Sequence, residues 1–123
     1  MKKHEANFSI KFRHWLMKNP LPFGCWFEMK DTRGKDLFPL KEWKDEQREF
    51  AEALRYSKKG VLVRTEGVEG LPDYKYAYQE TTFIVIKYNQ GFVLVDSDTL
   101  MMQKGKSLSW EKIGDIAWKI INN

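Results

Sequence analysis

"CWFEMKDTRGKD", residues 25–36, sets two charges, Glu28 and Lys30, into a run whose other members, Trp26, Phe27 and Met29, read as strand core. Residues two apart on a strand project from one face, so Glu28 and Lys30 point the same way, with Trp26 beside them. Thr32-Arg33-Gly34-Lys35 then reads as a turn and Asp36 to Leu40 as a second short extended piece, and together the two strands make an expected hairpin. A surface ion pair explains a lone Glu-x-Lys. A site requires other polar groups brought to the same face.

Upstream, Phe8, Phe12, Trp15 and Leu16 fall at helical spacing from about Glu5 to Lys18, and Asn19-Pro20 stops that helix. Glu5 stands three before Phe8, on the apolar stripe, at the helix end where a carboxylate is favoured. Downstream, Lys41 to about Tyr56 reads as a second helix, with Trp43, Phe50 and Leu54 on one stripe and Gln47 interrupting it. Gly60 follows the helix, as its end requires. If both helices pack by these stripes, each brings one polar group toward the strand of Glu28 and Lys30, where buried polar groups need partners. Taken alone, either residue more often sits hydrated at the rim of its stripe than joins a site.

Farther on, Val61 to Arg64 is a strand, "TEGVEGLP" a loop and "DYKYAY" an alternating strand. "TTFIVIKYNQGFVLVDSDTL", residues 81–100, gives two β-rich runs around Asn89-Gln90-Gly91, the strongest hairpin signal in the chain. Trp110 to Ile121 reads as a closing helix capped by Ser109. The order predicts one α/β domain, a mixed central sheet flanked by helices, with the strand at Val61 in its middle.

The 123 residues suit one domain, and 42% hydrophobic with 15% aromatic content argues for a packed core. Lys and Arg number 21 against 17 Asp and Glu, a net charge of +4 that tilts mildly toward anionic partners. Cys25 is the sole cysteine, which excludes an internal disulfide, and no Cys and His spacing suits zinc. Charges interrupt the first twenty residues and no apolar run is long enough to span a bilayer, so neither a signal peptide nor a membrane span is expected, and an intracellular (cytoplasmic) protein is.

Glu28-Met29-Lys30 on a strand, a basic turn, a short strand, a helix carrying Gln47 and a following "GVLVR" strand resemble the PD-(D/E)XK nuclease superfamily, most closely its archaeal and phage-type Holliday junction resolvases. Glu5, Glu28, Lys30 and Gln47 match in order and approximate spacing, over roughly residues 4–100. The superfamily normally has an aspartate on the strand before Glu-x-Lys, and no acidic residue lies between Glu5 and Glu28. Asp73, in "GLPDYKYAY", is the candidate replacement, against an ordinary turn residue after Gly70 and Pro72. Asp31, on the opposite strand face, and Asp36, past the turn, are poorer candidates.

The resemblance implies a restriction-endonuclease-like fold and a metal-dependent endonuclease of phage or prophage type, acting in DNA recombination as a dimer on branched DNA such as a four-way junction. It implies Mg²⁺, with Mn²⁺ as a substitute, held by Glu28 and Asp73 with Glu5 directly or through water, and with the Met29 carbonyl. Lys30 would orient the attacking water and stabilise the phosphoryl group, and Gln47 would position water or phosphate. Products would carry a 5′-phosphate and a 3′-hydroxyl. Lys11, Arg13, Arg33 and Lys35 are the candidate DNA contacts, with Lys58, Lys59 and Arg64 behind them; any one alone reads as a solvated charge. A catalytically inactive nuclease-fold module that binds DNA or protein is the alternative. His4 and His14 lack partners at metal or triad spacing, and Cys25 reads as packing. Tyr74, Tyr76 and Tyr78 share a strand face and more often serve as core or rim than as a platform for DNA.

Overall fold

The computed structural model describes residues 3–32, 35–89 and 91–122, with side chains from residue 8 onward. Its centre is the 81–96 hairpin: β5 (Thr81–Tyr88) and β6 (Gly91–Asp96) pair antiparallel, with Phe83 opposite Asp96 and Tyr88 opposite Gly91. Asn89 adopts φ +53°, a left-handed conformation that asparagine tolerates. Ile84, Val85, Ile86, Val93, Leu94 and Val95 are all fully buried, the continuous apolar run expected of strands covered on both faces. β1 (Cys25–Lys30) joins β5 in parallel and β8 (Lys119–Ile121) joins β6 antiparallel, so the mixed sheet runs β1-β5-β6-β8.

Strand alternation divides the core in two. Phe83, Val85, Phe92 and Leu94 face α1 (Lys3–Lys18), which lays Phe8 and Phe12 on them. Ile84, Ile86, Val93 and Val95 face the other way. There they meet Ala51 of α2 (Asp45–Tyr56), Leu100 of α3 (Ser97–Met101) and Ile113 of α4 (Trp110–Ile116). The domain is therefore an α/β layer structure with helices on both faces of a mixed sheet.

Several expectations are corrected. β2 (Leu37–Pro39) does not fold back on β1; it pairs with β7 (Ser107–Ser109), while β1 gives its ladder to β5. A three-residue strand ending in Pro39, which lacks an N–H, competes poorly with the six-residue parallel register on β5. β3 (Val61–Arg64) is not the middle of the sheet but pairs only with β4 (Tyr74–Ala77) in a separate ribbon. Its Leu62 and Arg64 are exposed, so it has one apolar face to bury, where a central strand needs two. Val63 and Ala77 of this ribbon pack on Leu54 of α2, with Trp26 of β1 alongside.

The second helix begins at Asp45 rather than Lys41. A single 3-10 turn, Leu40–Glu42, precedes it, and Trp43 is extended and buried between them. The closing helix ends at Ile116, where Ala117 turns extended and the chain adds β8. Ser109 does cap α4, accepting the Lys112 backbone N–H at 3.1 Å. Residues 97–100, read as the end of the second β-rich run, instead lie in α3, capped by Asp96, which accepts from the Asp98 N–H at 2.9 Å.

Candidate active site

Glu28 and Lys30 stand in register with Ile84 and Ile86, which puts them on the α2 side of the sheet. Lys30 is sunk to 11% side-chain exposure, its Nζ 3.7 Å from Glu28 Oε1, whereas Glu28 keeps 35% exposure and reaches solvent. Removing an ammonium from water is costly unless a carboxylate stays near it, so the two charges support each other in place.

Gln47 completes the group. As the third residue of α2 its side-chain carbonyl accepts the Lys44 backbone N–H at 3.0 Å, which satisfies a donor the helix start leaves unpaired. That bond fixes the orientation of the amide. Its NH₂ then turns to Glu28 and donates to Oε1 at 2.6 Å. Both contacts to Glu28 fall on Oε1, and Oε2 has no partner among the described residues. One oxygen is thus held and the other presented.

The remaining expected residues distribute differently. α1 lies on the sheet face opposite Glu28 and Lys30, so the two helices do not converge on one face as their stripes suggested. The Glu5 side chain lies outside the described residues, as do those of His4 and Arg33. The Met29 side chain packs into the α1-side cluster, which leaves its main-chain carbonyl as the only group for the implied role. Lys11 and Arg13 are exposed on α1. Lys35 is paired with Glu42 at 2.5 Å, a hydrogen bond that holds the Glu42 carboxyl below its ordinary value.

Asp73 precedes β4 and is exposed; its main-chain carbonyl accepts from Thr65 N–H at 2.7 Å, carrying the β3–β4 pairing one step past Arg64 and Tyr74. Its carboxylate has no hydrogen bond or ion pair among the described residues. Two places along, Lys75 lies 5.6 Å over the Trp26 ring and 3.1 Å from Glu80, and Glu80 also accepts the Trp26 indole N–H. This Trp26-Glu80-Lys75 knot ties β4 to β1 on the Glu28 side. No sequence signal marked Glu80, which stands 54 residues from Trp26. Gly24 leaves room for it, since a Cβ there would lie 2.5 Å from Glu80 Oε1.

Compared with known protein families, with curated proteins and with solved structures, the chain matches none.

Among the described residues no three His, Cys, Asp or Glu side chains gather as a metal cage. Carboxylate oxygens such as those of Glu28 and Asp73 are of the hard donor type that Mg²⁺ takes, and the two residues stand on separate sheets, Glu28 on β1 and Asp73 beside β4. At the first residue of β1, Cys25 is half-buried, and burial, with Glu80 adding to it, pushes its thiol up to about 11, so at neutral pH it is an inert packing group. Among the described residues no helix is long and apolar enough to cross a membrane.

Proposed function

We propose that this protein is a Mg²⁺-dependent DNA endonuclease of the PD-(D/E)XK kind, cutting branched DNA. The supporting observation is the Glu28-Lys30-Gln47 group: a carboxylate gripped on one oxygen and open on the other, with an ammonium beside it on the same sheet face. Asp73 is the proposed second carboxylate. In support, Asp73 directly precedes β4, whose Lys75 lies over the Trp26 ring, and Trp26 alternates onto the face of Glu28.

A bound Mg²⁺ at Glu28 and Asp73 would supply an acidified water and neutralise charge on the phosphate. Lys30 would face the non-bridging phosphoryl oxygens, where negative charge grows as the water oxygen, its proton given up to solvent, bonds to phosphorus and the bond to the 3′ oxygen breaks. The 3′ oxygen takes a proton from solvent, leaving a 3′-hydroxyl and a 5′-phosphate. Gln47 holds Glu28 still, so that its free oxygen needs no reorganisation during the reaction. Paired cuts across a junction need two such sites, and the proposed active form is a homodimer.

A second reading, a DNA-binding module without catalysis, draws on the exposed position of Asp73 at the start of the separate β3–β4 ribbon rather than on the strand of Glu28. Incubating labelled four-way junction, nicked duplex and linear duplex with Mg²⁺ or Mn²⁺ separates the two. Cleavage of the junction by the wild type and by neither Glu28→Ala nor Asp73→Ala supports the nuclease. Binding of the junction without any cut supports the module.

A further inference from the structure

The Gln47 end of α2 opens onto a groove of about 870 Å³ between the 3-10 turn and residues 105–107. Its walls are fixed, because Leu40 N–H donates to the Lys106 carbonyl at 2.9 Å and Pro39 stands opposite Ser107 in the β2–β7 ladder. Lys41, Lys44, Arg48 and Lys106 line it, against Asp45 and Glu46. None of these four cations forms an ion pair among the described residues.

Arg48 is the most telling of them. Its Nε donates to the Trp43 carbonyl at 2.9 Å and its Nη2 to the Leu40 carbonyl at 3.0 Å, while the guanidinium lies 5.3 Å from the centre of the Trp43 ring. Two carbonyls and an aromatic face hold it in one orientation without neutralising it. A half-buried guanidinium fixed in this way and left without a carboxylate is suited to a phosphate.

We propose that this groove binds the sugar-phosphate backbone of the DNA strand that leads into the Glu28-Lys30-Gln47 site. The occupant is an extended polyanion, because four cations from two separate stretches of chain line one open groove. Lys44 joins the groove to the site directly: its N–H holds Gln47, and Gln47 holds Glu28. The assignment rests on the nuclease reading for the direction of the strand. It replaces a basic face on α1 with one on the α2 side of the sheet.

Fluorescence anisotropy of a labelled four-way junction in EDTA, over a series of salt concentrations, tests it. Removing Lys41, Lys44 and Lys106 together by substitution to Gln should lower the slope of log affinity against log salt by about three, roughly one for each phosphate that is no longer neutralised. Removing the same charge elsewhere, by Lys18→Gln, Lys112→Gln and Lys119→Gln, should leave the slope close to wild type. Equal decreases in the two variants would overturn the groove and leave a diffuse charge effect. An unchanged slope in the groove variant, with junction bound and cut by the wild type, would overturn the groove alone. Failure of the wild type to bind any DNA would overturn both the groove and the nuclease reading.

Discussion

Gln47 makes two bonds that depend on each other. Its carbonyl is claimed by the start of α2 and its NH₂ by Glu28, so the helix end orients a site residue through one amide. Gln47→Ala should lower stability by about 1 kcal/mol, the ordinary worth of such a bond, a fall in Tm of about 4 °C for a chain of this size. Thermal unfolding measures that, and junction cleavage should fall more than the stability loss explains, because Glu28 loses its anchor. Cys25 gives a pH reading of the same edge. Its folded thiol ionises at about 11 against an ordinary 9.0, so the unfolded chain loses this proton first and stability declines as pH rises through that interval. The rate of iodoacetamide alkylation of the folded protein should therefore have its midpoint near 11; a midpoint at or below the ordinary 9.0 would contradict the buried placement.

Elements were legible where their partner was close in sequence. β5 and β6 announce themselves by β-branched runs and an asparagine able to turn between them, and α2 by its stripe and by Gly60, whose φ is +78°. β1 was legible as a strand but not by its partner, because pairing with β5 spans more than fifty residues and nothing local encodes it. β8 was hidden in a helical pattern. Ile121 is buried against β6 and Ile120 exposed, an alternation too short to outweigh the helix before it. Gly91 shows how tightly β8 is seated: a Cβ at that position would lie 1.9 Å from the Ile121 carbonyl oxygen. Gly91→Ala should cost about 1–3 kcal/mol through this clash, and faster amide exchange at Lys119–Ile121 than in the helices would locate the damage at the β6–β8 ladder.

At the scale of the whole molecule, the sheet separates two faces that the sequence could not tell apart. Apolar stripes show that α1 and α2 each bury one side, but not that they bury it on opposite sides of β1. Glu28, Lys30 and Gln47 could be read from sequence because two local periods, 2 along the strand and 3.6 along the helix, and one packing contact bring them together. The β4 tether through Glu80 and Lys75 could not, since it depends on where a separate ribbon docks. The groove beside Gln47 was equally hidden, because it joins residues 39–48 to residues 105–107.

The most direct measurement is the single-turnover rate of junction cleavage by Glu28→Gln, with binding followed in the same samples. Glutamine keeps the shape of Glu28 and removes the charge that its open oxygen carries. The proposed site predicts a rate lower by at least about 10²–10³, the usual effect of losing one group that acts on the transition state, with junction affinity within a factor of about two of wild type. Cleavage by Glu28→Gln at the wild-type rate would contradict it and place any hydrolysis elsewhere.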